Sequence, residues 1–315
     1  MAAGAPTADK NPSGPRGVRP RFAWLSDRVL ARIFLTPTMA LLLAIAIFPL
    51  LWSLYLSFTK FNVNEDSKTG PLWVGLRNFD RHLSDPETWH RFTDTARFVV
   101  PAVLIELLVG FGLAYVLNRN FKGRGFIVTT MLIPMMLSPL VVALFWKYML
   151  VTDRGIVNFF VRDIAHLGQP DWLNDPGVAM WALVLVDVWQ WTPFIMLISL
   201  AGLSAVPKYL YEAAEVDRAS GWFRFRHITL PLVTPLLLIA ILFRTMDSYK
   251  MFDQAYALTG GGANTQVLSI DLFQMAFKDF DTGKASALGY IMLVVIIALA
   301  NLLIRVLNGL KSEEA

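Results

Sequence analysis

The sequence contains no cysteine, which excludes disulfides, cysteine-ligated metal sites and thiol nucleophiles. Its four histidines, His82, His90, His166 and His227, are scattered and never take the His-x-x-x-His spacing that sets two imidazoles on one helix face. No metal site is expected. Charge is scarce too: 17% of residues are Asp, Glu, Lys or Arg, against about 25% in soluble domains. The Gly-x-x-x-x-Gly-Lys-[Ser/Thr] phosphate loop is also missing. Gly283-Lys284-Ala285-Ser286 lacks the upstream glycine and the adjacent hydroxyl; Gly260-Gly261-Gly262 lacks the lysine and reads as a flexible turn.

Apolar residues, by contrast, make up 55% of the 315 positions. They gather in six stretches, roughly Ile33–Ser57, Phe98–Leu117, Phe126–Leu150, Val178–Leu200, Leu230–Met246 and Ala287–Leu307. Each is near the ~17–25 residues that cross a bilayer as a helix, the form that satisfies its own backbone in lipid. The expected fold is therefore an all-α, polytopic membrane protein with six transmembrane helices. Residues 1–30 are rich in Pro, Gly and Arg and read as a disordered basic tail rather than a cleaved signal peptide. Residues 31–311 form the membrane domain, and 312–315 a short second tail.

The net charge of +4 has its origin in topology rather than nucleic-acid binding. Taken together, the N-terminal tail, Arg119–Arg124, Lys208–Arg226 and the C-terminus carry an excess of Lys and Arg, whereas the remaining loops carry the acidic excess. Both termini are therefore expected in the cytoplasm. Among the outer loops, Asn62–Phe92 is polar, with Trp73 and Trp89 as interfacial anchors. Ile156, Val157, Phe160, Val161, Ile164 and Leu167 recur at helical spacing, as expected of a helix lying in the interface, and Leu268–Phe277 looks similar.

One cytoplasmic segment is distinctive: Pro207 opens a helix in which nothing breaks the pattern up to Ala219, and Ser220-Gly221 can end it. Leu210, Ala213, Ala214 and Asp217 share one face, Glu212, Glu215 and Ala219 another. Small alanines permit close approach, and carboxylates offer charged acceptors, so a docking helix is one reading and an amphipathic linker the other. Glu212-Ala213-Ala214, Asp217, Ala219, Phe225, Ile228 and Leu230-Pro231 resemble the "EAA" box of inner-membrane subunits of binding-protein-dependent ABC importers. Flanking segments resemble the sugar-permease branch, of maltose type: Trp189-Gln-Trp-Thr-Pro193 before the box, then Phe243–Asp253 and Thr259-Gly-Gly-Gly262 after it. The likeness runs from about Arg32 to Leu310.

The resemblance implies a type I importer permease fold without its own ATPase, half of a pathway for a sugar, polyol or glycoside. It implies a coupling helix (about 207–221) seated in a cleft of an ATPase subunit dimer, which would bind the ATP and Mg. Glu212 would be the electrostatic anchor, Ala213 and Ala214 the packing surface, and Asp217 the brace of the following turn. The glycine usual after the aspartate is Arg218 here, and Gly221 offers the turn another place. A second, homologous permease and an extracytoplasmic solute-binding protein are the other implied partners, with Thr259, Gly260, Gly261 and Gly262 a candidate docking turn. The implied location is a bacterial inner membrane.

Ionisable groups at membrane depth face a cavity or each other. Glu106 and Asp187 lie mid-span, either lining the pathway or serving structure. Arg244, Asp247, Lys250 and Asp253 follow at steps of three, as in an intrahelical ion-pair ladder; Arg244, Asp247 and Lys250 are also candidates to line the pathway. Trp189, Gln190, Trp191 and Thr192 combine aromatic faces with polar groups, which suits a sugar; interfacial anchoring is the other reading. The competing function is an ion-coupled secondary transporter using Glu106 and Asp187. The EAA box and the lack of an inverted repeat weigh against it, and no nucleophile–base pair supports a membrane enzyme.

Overall fold

The computed structural model describes residues 27–66, 69–166 and 168–313. Most of the expected basic tail, Leu167 and the last two residues lie outside these. The chain divides into two compact units, Met1–Trp52 and Ser53–Ala315. α1 (Asp27–Ser57) carries Pro37 and Pro49, and its apolar side chains are exposed from Ile33 to Leu51. Such a surface belongs in lipid.

In chain order there follow the paired strands β1 (Thr59–Lys60) and β2 (Leu72–Trp73), α2 (Arg77–Ser84), α3 (Pro86–Leu117), α4 (Arg124–Met136), α5 (Pro139–Met149) and α6 (Ile156–Asn158), the last continued by a π-helical turn. Next come α7 (Ala179–Ala205), α8 (Lys208–Val216), α9 (Gly221–Arg224) running through a π-helical turn into α10 (Leu230–Tyr249), α11 (Asp253–Leu258), α12 (Leu268–Phe277) and α13 (Thr282–Glu313). α7 is apolar all round and forms the centre, packed along α3 and against α10. Glycines set those approaches. A Cβ at Gly110 would come within 2.9 Å of Ile195, and one at Gly202 within 2.9 Å of Val233.

Among the described residues, five helices are long and apolar enough to cross a membrane. The third expected span, Phe126–Leu150, is not one helix: α4 and α5 meet at 95° across Leu137 and Ser138. Pro139 opens α5 and supplies no N–H to continue α4, which explains the break. Among the described residues the apolar core has two clusters. One, at the α8 end, joins Leu117, Leu203, Val206 and Val233; the other, at the far end, joins Leu150, Leu258, Val267 and Leu268. α4 places Val128, Met131 and Leu132 against the first, and α5 places Val142 and Ala143 within the second. The bent pair therefore runs from one end to the other and makes a sixth, broken crossing.

The segments expected to lie on the outer side are more ordered than a loop. Asn62–Phe92 contains β2, α2 and the first turns of α3, whose N-cap Asp85 accepts from the Glu87 N–H at 3.1 Å. Asn78 is buried and donates to the carbonyls of Ser57 and Thr59 at 2.9 and 2.8 Å. Trp73 stacks on Phe58, and Trp89 donates to the Leu83 carbonyl at 2.9 Å while its ring stays half-exposed. Of the apolar positions expected to face the interface, Ile156, Phe160 and Ile164 are exposed, whereas Val157 and Val161 are half-buried, Val157 against the core. α12 differs from that expectation: Leu268 and Ile270 are fully buried and the helix packs on α13 and α3.

Candidate functional site

Arg244 lies in α10 and is 2% exposed. Its Nε and Nη2 donate to the two oxygens of Glu106 at 2.7 and 2.8 Å; Nη2 also reaches Asp187 Oδ2 and Ser248 Oγ, both at 2.9 Å. Nη1 donates to Asp247 Oδ2 at 2.9 Å. The expected ladder thus exists for one step only. α10 ends at Tyr249, so Lys250 and Asp253 leave the helical register and make no ion pair among the described residues. The dominant contacts instead join α10 to α3 and α7. Bidentate, charge-assisted bonds suit a buried guanidinium, and a lone buried charge would be severely unfavourable.

The Trp-Gln-Trp-Thr segment is split by helix geometry, since residues two apart on a helix point in different directions. Trp191 alone opens on the central cavities: the Arg244 guanidinium sits 4.9 Å from its ring centroid. A cavity of about 260 Å³ lies between Trp191, Asp187, Asp247, Lys250, Asp253 and Gln254; a neighbouring one of about 530 Å³ shares Trp191, Asp247 and Lys250 and adds Phe194 and Phe243. Trp189 points away and packs edge-on against Trp146 at 5.8 Å. Thr192 is buried.

Gln190 has a structural task that sequence reasoning missed. Its Nε2 donates at 3.0 Å to the carbonyl of Leu137, freed where α4 breaks, and its Oε1 accepts from Gln254 Nε2 at 2.6 Å. Backbone left open at membrane depth needs such a partner. The available signal was Pro134 and Pro139 within an apolar run.

At the other end, Pro207 stands immediately before α8, and the helix stops at Val216 rather than continuing to Ala219. Arg218 takes φ 53, the left-handed conformation that favours glycine. The turn therefore stays where the EAA pattern has its glycine. Gly221 does not move it; it begins α9, with open space where a Cβ would be. Glu212 and Ala213 are exposed, Ala214 is buried, and Glu212 makes no ion pair among the described residues. The Asp217 side chain has no partner among them either. The turn is braced by the Glu215–Arg224 pair at 2.9 Å and by Ser220 Oγ, which accepts from the Phe223 N–H at 3.2 Å. Behind α8 lies a cleft of about 510 Å³ lined by Leu210, Ala213, Ala214, Phe223 and Ile228.

The Thr259–Gly262 segment is a closed turn rather than a slack one. Thr259 Oγ1 bonds the Ala255 carbonyl at 3.1 Å and contacts Thr265, and Gly260 and Gly261 supply positive φ. Gln266 spans to Gln274 at 2.9 Å and to Asp271, whose carboxyl burial pushes above its ordinary range.

The family described as "binding-protein-dependent transport system inner membrane component" matches residues 106–311. The chain belongs to this family. It is a multi-pass inner-membrane permease subunit, the transport component rather than the ATPase. It is 35% identical over 270 residues to the trehalose/maltose transport system permease protein MalF of Thermococcus litoralis, covering 85% of this chain and 90% of that one. It is 33% identical over 286 residues to the trehalose transport system permease protein SugA of Mycobacterium tuberculosis, covering 90% and 91%. The sulfoquinovosyl glycerol transport system permease protein SmoG of Agrobacterium fabrum is 31% identical over 290 residues, covering 91% and 93%. A crystal structure of a bacterial ABC transporter that imports alginate shares the fold, with a TM-score of 0.76 at 20% identity over 89% of this chain and 95% of that one.

Family membership replaces the ion-coupled alternative. That reading also needed free carboxylates at Glu106 and Asp187, and both are bound to Arg244.

Proposed function

We propose that this permease subunit forms half of the translocation pathway for a sugar or a related polyol or glycoside. The observation that carries the reading is Trp191: its indole is held by Arg244 at the boundary of two cavities whose walls also carry Asp247 and Lys250. An aromatic face covers the C–H side of a pyranose while such polar groups meet its hydroxyls. The named solutes of the similar permeases agree with this class. Trp189, Gln190, Glu106 and Asp187 serve the architecture around that wall.

The complex would comprise this chain, a second homologous permease, a dimer of ATPase subunits that binds ATP and Mg, and an extracytoplasmic binding protein. Glu212 and Ala213 on α8 would meet the ATPase, with Arg218 shaping the turn. The Thr259–Gly262 turn, at the opposite end of α10, would face the binding protein. Both termini would be cytoplasmic, in line with the distribution of basic residues.

The test is uptake of trehalose or maltose by proteoliposomes holding the whole complex and its binding protein. Trp191→Ala should assemble normally and lower uptake about fivefold to tenfold, as expected for losing an aromatic contact worth ~1 kcal/mol or a little more. Unchanged uptake kinetics would return Trp191 to a purely structural role.

A further inference from the structure

The names of the similar permeases span neutral and acidic solutes, so family membership leaves the charge of the solute open. The cavity wall does not. Arg244 presents no free nitrogen to a ligand: Nε and Nη2 are taken by Glu106 and Asp187, and Nη1 by Asp247. Of the charged groups that remain at the cavity, Lys250 is the single cation among the described residues, against the exposed carboxylates of Asp247 and Asp253. Hydroxyl groups can donate to these carboxylates and accept from Lys250. An anionic substituent instead meets carboxylates in a partly desolvated cavity, where like charges repel more strongly than in water.

We propose that this cavity selects uncharged saccharides and rejects those bearing a carboxylate, sulfonate or phosphate, with Asp247 and Asp253 as the discriminating residues and Lys250 opposing them. This rests on the reading of Trp191 as a substrate contact. It assigns the selectivity to the permease itself, separately from whatever the binding protein selects.

The experiment uses the assembled complex in nanodiscs without binding protein. Saturation-transfer NMR measures the affinity for trehalose and for its 6-uronate, in which one CH2OH has become a carboxylate. Wild type should bind the uronate about tenfold more weakly, and high salt should narrow that gap by screening. Asp253→Asn should narrow it about threefold or more, read as the ratio of the two affinities in the same variant. Lys250→Gln should widen it. Asp253 makes no ion pair among the described residues, so its replacement tests charge without breaking the Arg244 cluster. Equal binding of the two sugars by wild type, or a gap that Asp253→Asn leaves untouched, overturns the proposal while the pathway reading stands. Failure of trehalose itself to bind, unaltered by Trp191→Ala, overturns the pathway reading and the proposal with it.

Discussion

The two ends of α10 are built on opposite plans. At the Thr259–Gly262 end, polar groups are turned inward: Asn78 ties two carbonyls, Gln254 reaches Gln190, and Thr95 accepts the Leu268 N–H at 3.0 Å. At the α8 end, charge and apolar surface are turned outward. Glu212 has no ion-pair partner among the described residues, Val216 is 82% exposed and Trp222 67% exposed, and Arg218 holds an unfavourable conformation. One end pairs most of its polar groups within the chain, leaving the buried Gln254 Oε1 and Tyr249 hydroxyl without a hydrogen bond among the described residues. The other presents surface of the kind that marks an interaction site, and the Arg244 cluster stands between them as the tie of α3, α7 and α10.

The comparison is broken most severely at that tie. Arg244→Met should remove about 3–5 kcal/mol, because it leaves Glu106 and Asp187 buried without their cation. Thermal unfolding in detergent measures this, and a variant as stable as wild type would mean the cluster is not what joins the helices. Next in size is Gln190→Leu, which leaves the Leu137 carbonyl and the Gln254 amide unpartnered at a cost of about 1–3 kcal/mol. Its destabilisation should appear as faster hydrogen exchange or proteolysis around residues 134–142, with the α8 end unaffected.

The smallest effect sharpens the contrast instead. Arg218→Gly should relieve the left-handed strain and stabilise the chain by about 0.5–1 kcal/mol. A loss of stability there would show that the Arg218 side chain makes contacts that outweigh its backbone.

Much of this architecture was legible in the sequence because a membrane demands long apolar runs. The run Phe126–Leu150 was misleading for the same reason: composition reports that a segment is apolar, not that its helix is continuous. Pro139 carried the signal, but its consequence depends on Gln190 from another helix capturing the freed carbonyl. The cost of burying charge singled out Glu106, Asp187 and Arg244, yet their mutual pairing spans 138 residues and no local spacing encodes it. Treating Trp189 to Thr192 as one constellation was avoidable, since the helical rotation already separates Trp189 from Trp191. The end of α8 was harder. The arginine itself gives no sign of adopting φ 53; the sign is the glycine that the EAA pattern carries at position 218, and the Glu215–Arg224 pair and the α9 cap close the turn around it.

Hydrogen exchange on the permease with and without its ATPase subunits tests the contrast between the two ends most directly, because exchange reports local opening segment by segment. The ATPase should slow exchange across residues 208–229 and leave residues 253–277 unchanged. Protection gained at 253–277, or none gained at 208–229, would contradict that contrast.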